Sequence, residues 1–278
     1  MLHERIVFDP DRRLAMWREV RARRYDVVID VQGSTSTAML TRSSGAPVRV
    51  GWRIRGWRLW YTRARSRRGP VEYVVRERQR LLELAGIPAG PSRPCIHLTA
   101  EERMRGEIDA HAAGLPSGIP RVGLLLSTRE PAKDWPAPSF AALAAAMARE
   151  GVVPLVFQTP GDEPRVEVVR AACPSAAIVP PLDLRRFLGV LATCRAFVSG
   201  DTGPAHMADA LGVPRVTIFG PTSPVAWCPD VPTVIPVVGP GSRVIRLRDR
   251  ARMVGSGHDF TGGITPEAVM ERVRAVLG

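Results

Sequence analysis

Lysine is almost absent from this chain: Lys133 is the one lysine among 39 basic Lys and Arg residues. Cysteine is sparse as well. Cys95, Cys173, Cys194 and Cys228 lie far apart and form no Cys-x-x-Cys pair, which argues against a zinc site or a dithiol redox motif and leaves buried free thiols as the expectation. No run of about 18 apolar residues occurs, so no segment reads as a membrane-spanning helix. The first residues carry His3, Glu4, Arg5 and Asp9 instead of an apolar signal core, and the expected location is the cytosol. No internal repeat or low-complexity tract is visible. Acidic residues number 27, leaving a net charge of +12. What is present is 45% hydrophobic content in 278 residues, enough for a sizeable core and two domains of ordinary size.

The arginines are unevenly spread. Arg42, Arg49, Arg53, Arg55, Arg58, Arg63, Arg65, Arg67 and Arg68 crowd one segment, with Trp52, Trp57, Trp60 and Tyr61 among them. Charge with interfacial aromatics suits an anionic membrane surface or an acidic glycolipid. A plainly solvated arginine face is the alternative. Nucleic acid is a third use of the same residue types and is not adopted as a partner.

Periodicity divides the chain near residues 116–120, giving expected domains of 1–115 and 116–278. Before that point lie an apolar strand at 27–31, a helix at 74–84 stopped by Gly86-Ile87-Pro88, and an amphipathic helix at 101–113. After it strands and helices alternate. Strands are expected at 121–126, 152–157 and 177–179. Helices are expected at 139–150 with Ser139 as cap, at 163–172, and at 184–192 with Asp183 as cap. Such alternation predicts an α/β, Rossmann-like, doubly wound domain.

The most informative stretch is 196–224. An apolar run meets Gly200-Asp201-Thr202-Gly203, a helix at 204–211 opened by Pro204 and closed by Gly212, and a second strand at 216–219. Thr202 or Asp201 is available as the helix cap. The unpaired N–H groups of that helix start favour an anion above the carboxyl edge of the sheet, so the loop reads as a phosphate-binding site. The βα loops at that edge, 127–134, 159–163, 180–183 and 200–206, are where ligand contacts are expected. In a chain so biased to arginine, Lys133 marks a place where a compact ammonium suits better than a planar fork.

Asp201-Thr202-Gly203, His206, Gly212-Val213-Pro214 and Phe219-Gly220-Pro221-Thr222-Ser223-Pro224 together resemble the signature of the lipopolysaccharide heptosyltransferases of glycosyltransferase family 9. Weaker likeness extends through residues 25–33, Arg49-Val50-Gly51, Lys133-Asp134-Trp135-Pro136 and the closing Ile264-Thr265-Pro266-Glu267. The resemblance implies a GT-B fold, two facing Rossmann-like domains, with the N-terminal one incomplete. Relative to the family pattern, about two βα units are expected to be missing ahead of residue 25, and with them the Gly-Asp loop that carries the catalytic base.

By the same resemblance, the activity is inverting, metal-independent transfer of a heptose or related sugar from an ADP-sugar to a lipopolysaccharide core or similar glycolipid. No cofactor is implied. Lys133 would contact the donor phosphates, Ser127 and Thr128 the pyrophosphate, Glu163 the ribose hydroxyls and Leu182 the adenine through its backbone. Thr202 and Gly203 would offer the helix dipole, His206 a pyrophosphate contact or plain packing, and Asp201 a sugar contact or a helix cap. Gln32 and Arg53 are the acceptor-side candidates, and peripheral contact with the inner membrane surface would accompany an anionic glycolipid acceptor. Asp30 is a poor substitute for the base. The only Asp-x-Asp, Asp9-Pro10-Asp11, reads as surface charge. A truncated pseudoenzyme that binds the nucleotide sugar without transferring it is the alternative, and an arginine-rich membrane- or RNA-associated scaffold is the third reading.

Overall fold

The computed structural model describes residues 13–67, 70–114, 118–239 and 259–278; Asp9-Pro10-Asp11, Arg68 and part of the 114–120 stretch lie outside them. The chain forms two compact units, Met1–Ser92 and Arg93–Gly278. In the first run α1 (Arg13–Ala22), β1 (Val27–Ile29), α2 (Thr35–Ser43), β2 (Val48–Trp52), α3 (Trp57–Trp60), β3 (Arg63–Arg65) and α4 (Val74–Ala85). Its three described strands are all parallel, in the order β1-β2-β3. Val50, Trp52 and Leu81 form its buried centre. Helix α4 ends where expected, with Gly86 left-handed at φ +84°. The buried Gln79 amide donates to the carbonyls of Gly90 and Pro91 at 2.8 and 2.9 Å, tying the following segment to α4.

The second unit contains α5 (Ala100–Ala112), β4 (Arg121–Leu125), a 3-10 turn (Pro131–Lys133), α6 (Ala137–Arg149), β5 (Val153–Phe157), α7 (Glu163–Ala172), β6 (Ala177–Val179) and α8 (Leu184–Leu191). It continues with β7 (Ala196–Gly200), α9 (Gly203–Leu211), β8 (Arg215–Phe219), α10 (Pro224–Trp227), β9 (Val234–Val238) and α11 (Pro266–Leu277). Six parallel strands run β6-β5-β4-β7-β8-β9, which is the doubly wound order, with its switch point between β4 and β7. Alternate residues of the strands feed opposite layers. Val122 and Leu124 pack with α6, α7 and α11 through Phe140, Met147, Val166 and Val269, while Leu125, Leu155 and Phe197 pack with α5, α8 and α9 through Ala110, Leu191 and Ala208. Gly123 is small because a Cβ there would stand 2.8 Å from the Phe197 ring and 2.9 Å from that of Phe157.

By packing, the division falls at Ser92, and α5 belongs to the second unit although it precedes the 116–120 stretch. The cause is a close helix crossing: a Cβ on Gly189 would meet the Glu102 carbonyl oxygen at 2.7 Å, and Gly106 is equally closed by Gly189. Arg186 adds a bidentate pair to buried Asp109, at 2.8 and 2.9 Å. That pairing with Arg186 holds the Asp109 carboxyl below its ordinary value against the opposing effect of burial.

Two expected caps differ. Helix α6 begins at Ala137, with Pro136 as cap residue and Pro138 in the first turn, so Ser139 lies inside the helix. Thr202 is the cap residue of α9, but neither it nor Asp201 makes a side-chain capping bond there. Asp183 does cap α8, accepting from the Arg186 N–H at 3.0 Å. Of the cysteines, Cys173 and Cys194 are buried, Cys228 is half-buried and Cys95 is exposed, which corrects the expectation for the last. Among the described residues no helix is long and apolar enough to cross a membrane.

Candidate functional site

A cavity of about 980 Å³ opens at the carboxyl edge of the six-stranded sheet, lined by the segments that follow β4, β5, β6 and β7 together with α10. This is the switch-point position at which doubly wound sheets bind ligands. Its wall on the β5 and β6 side is apolar, built from Phe157, Val179, Pro180, Pro181, Leu182 and Phe187. Its other side is polar, with Lys133, Asp201, Thr202, Gly203 and His206 converging below Trp227. A largely apolar wall next to a charged end suits a ligand that carries a ring at one end and an anion at the other.

The charged end is tightly organised. The 3-10 turn carries Lys133, whose Nζ donates to the Asp201 carboxylate Oδ2 at 3.1 Å and to its backbone carbonyl at 3.3 Å. His206 Nε2 stands 3.6 Å from Asp201 Oδ1. Burial pushes the Asp201 carboxyl up, but His206 and the Lys133 ammonium outweigh it and hold the group down to about 2. Asp201 is therefore ionised and can only accept hydrogen bonds at neutral pH. With no capping side chain, the first N–H groups of α9 remain open to a ligand, and the buried Thr202 hydroxyl has no hydrogen-bond partner. Gly200 allows this close assembly, since a Cβ there would stand 2.9 Å from Thr128 Cγ2 and 3.1 Å from the Lys133 carbonyl.

Beneath the cavity two carboxylates fix the loops. Asp162 is buried and accepts from the Ser127 hydroxyl at 2.9 Å and from the Thr159 N–H at 3.2 Å. Asp134 accepts from the Thr128 N–H at 2.7 Å and pairs with Arg165 at 2.8 Å. Burial raises the Asp134 carboxyl, opposed by its hydrogen bonds from Thr128 and by Arg165. Thr128 Oγ1 donates to the Glu130 carbonyl at 2.7 Å. Both hydroxyls thus have structural partners at the cavity's rim. Trp135 anchors the same loop by donating to the Ile264 carbonyl at 3.0 Å.

Eight of the nine expected donor residues line the cavity: Ser127, Thr128, Lys133, Leu182, Asp201, Thr202, Gly203 and His206. Glu163 does not. It is exposed at the start of α7, where it accepts from the Gln158 amide at 3.3 Å, and Gln158, Thr159 and Pro160 take its place in the lining. Among the described residues no cluster of three metal-ligating side chains is present.

Residues 13–239 match glycosyltransferase family 9 (heptosyltransferase). The chain belongs to that family. Among its relatives, lipopolysaccharide heptosyltransferase 1 of Pseudomonas aeruginosa is 33% identical over 75% of this chain, which spans 59% of that protein's length. Lipopolysaccharide heptosyltransferase 2 of Escherichia coli is 26% identical, over 95% of this chain and 79% of its own. The glycosyltransferase family 9 structure from Veillonella parvula superposes with a TM-score of 0.78 at 20% identity, covering 98% of this chain and 80% of that one. The E. coli ADP-heptose heptosyltransferase II structure gives 0.69 at 24%, covering 96% and 81%. The fold is the mixed α/β architecture of these GT-B proteins.

In the first unit of this family 9 chain, the loop after β1 is held rigidly. Asp30 is buried and accepts from the N–H groups of Gln32 and Gly33 at 3.0 and 2.8 Å and from the Tyr61 hydroxyl at 2.6 Å. Its oxygens are committed to structure. Gln32 is exposed beside it, and its carbonyl accepts from Arg67 at 2.9 Å. Arg53, also exposed, donates to the Ala64 carbonyl at 3.3 Å and lies over the Trp57 ring. Trp52 and Tyr61 are core residues, whereas Trp57 and Trp60 are half-buried.

Sequence reasoning missed Asp162, Arg129 and Trp227. Asp162 acts by bonds across two loops that no local pattern reveals. Arg129 shares the Lys133 loop and lines the cavity. Trp227 follows Pro224 by three residues and was detectable only as an aromatic next to the signature.

Proposed function

We propose that the chain is a heptosyltransferase that binds ADP-heptose in this cavity and transfers the sugar to a lipopolysaccharide inner core or similar anionic glycolipid. The observation that carries this reading is the assembly of Lys133, Asp201 and His206 around the open N-terminus of α9, beside a largely apolar wall. Adenine lies against that wall, between the Pro180–Leu182 segment and Phe187. The diphosphate lies over the α9 N-terminus, where N–H groups and the helix dipole favour an anion. Lys133 moves from the Asp201 carboxylate to a phosphate oxygen, and Asp201 accepts hydrogen bonds from hydroxyls of the sugar.

Cleavage of the sugar–phosphate bond loads negative charge onto the leaving ADP. Once the donor is seated, Lys133, the helix dipole and His206 face that charge and stabilise it as it develops, which lowers the barrier. Family membership points to an inverting, metal-independent direct displacement in which a carboxylate takes the acceptor hydroxyl proton; Asp30, whose oxygens are engaged by Gln32, Gly33 and Tyr61, is not given that role. A glycolipid bearing phosphates and acidic sugars fits the arginine-rich 42–67 segment; among the described residues Arg53, Arg55, Arg58 and Arg63 make no ion pair there.

Family membership supports this reading. So do the names of the relatives, which act as lipopolysaccharide heptosyltransferases. The experiment is incubation of the protein, isolated from its own cells, with ADP-heptose and a heptose-deficient core lipid. A product heavier by one heptose is expected. Donor binding with no transfer to any core lipid would favour the binding-only alternative, and absence of donor binding would overturn the reading.

A further inference from the structure

The sheet orders the cavity. From Leu182, after β6, to Trp227, after β8, lie four strand spacings, about 19 Å at roughly 4.8 Å each. With the base at the β6 end and the diphosphate over α9, the remaining part of a nucleotide sugar reaches the β8 end. There the Trp227 indole stands beside His206, with ring centroids 5.6 Å apart and planes tilted by 48°.

Trp227 is not held by apolar packing alone. Arg215, at the start of β8, is fully buried, and its side chain runs along the strand: Nη1 donates to Thr217 Oγ1 at 2.6 Å and Nη2 to the Trp227 carbonyl at 3.2 Å. Its Nε has no hydrogen-bond partner, and among the described residues no carboxylate pairs with it. A buried guanidinium so incompletely satisfied is costly, and the neighbours Val216 and Ile218 show what the strand otherwise accommodates. What the arginine supplies in return is a fixed backbone position for the residue that forms the cavity's end wall.

We propose that Trp227 is the wall against which the transferred sugar rests, a specificity-determining residue, and that Arg215 is its positioning residue. The proposal rests on the nucleotide-sugar reading above. A sugar ring presents a face of C–H bonds that packs on an aromatic face, while its hydroxyls point outward to acceptors such as ionised Asp201. ADP alone, lacking the sugar, ends before Trp227.

The test is calorimetric titration of the full chain with ADP and with ADP-heptose. Trp227→Leu should weaken ADP-heptose binding about tenfold more than it weakens ADP binding, the difference expected for one aromatic contact to the sugar. Arg215→Met should lower the same ADP-heptose to ADP affinity ratio, and Arg215→Lys should restore part of it; a merely structural arginine would move both affinities together. Should Trp227→Leu fail to fold, Trp227→Phe reads the same ratio with a smaller change. Equal loss for both ligands, or no loss for ADP-heptose, overturns the proposal alone. Failure of the unaltered protein to bind either ligand overturns the donor reading and the proposal with it.

Discussion

Replacing Lys133 by methionine keeps most of the side chain's length and removes one cation from beside a buried carboxylate. Asp201 is held at about 2 where an ordinary aspartate lies at 3.8, a difference worth about 2–3 kcal/mol in favour of the ionised form. Burial works against that preference, and Lys133 and His206 supply it. Without Lys133 the partner left beside the carboxylate is the His206 imidazole, at 3.6 Å. The Asp201 carboxyl should rise, and the protein should lose about 1–2 kcal/mol of stability at neutral pH.

The sign follows from the depressed value. The contribution of Asp201 is complete above the unfolded pKa near 4 and disappears as pH falls toward the folded value. Denaturation midpoints of the unaltered and Lys133→Met proteins should therefore differ at neutral pH and converge in the acid range. Ligand binding responds to the same substitution more strongly. Loss of one charge-assisted contact to a diphosphate should weaken ADP binding by roughly ten- to a hundredfold in a calorimetric titration at low salt. A folded Lys133→Met protein that binds ADP as tightly as the unaltered one would refute the assignment of the cationic end to phosphate.

Other substitutions probe the supports. Asp162→Ala releases Ser127 and Thr159 together, and should cost about 1–3 kcal/mol of stability and weaken ADP binding, read by denaturation and titration of the same samples. Gly106→Ala drives a methyl group into the Gly189 backbone and should lower stability by about 1–3 kcal/mol, seen as a fall of several degrees in Tm. Tyr61→Phe strands a buried Asp30 oxygen at similar cost. Because burial first, and then the Asp30 bond, push the Tyr61 phenol up, its stabilisation is full below about pH 10 and is lost as pH rises further, so the difference between Tyr61→Phe and the unaltered protein should shrink in strong alkali.

Much of the second unit was legible because its strands are buried on both faces. Leu124, Val156 and Val198 belong to continuous apolar runs, and Gly and Pro punctuate the helices between them. Lys133 could be picked out as the one lysine on a loop at the carboxyl edge, and Asp201 and His206 through the signature that surrounds them. The first unit was harder. Its β2 and β3 interleave arginines with core residues, so Arg49 and Arg63 mask the pattern that Val50 and Trp52 would otherwise give. Helix α2 is rich in Ser and Thr and starts from a reciprocal Ser34–Thr37 cap, with little apolar periodicity to announce it. Glu163 lies outside the cavity lining because it faces solvent while its neighbour Asp162 turns inward to Ser127 and Thr159, and spacing does not tell two adjacent carboxylates at a helix start apart. Arg215 is the sharpest case: in a chain full of surface arginines, nothing local distinguishes the one that is buried.

The most direct test of the central claim is a crystal structure of the chain grown with ADP-heptose. The account predicts adenine between Leu182 and Phe187, the diphosphate over Thr202 and Gly203 within reach of Lys133, and the heptose between Asp201 and Trp227. A nucleotide bound elsewhere, or in the reverse direction along the sheet, would contradict it.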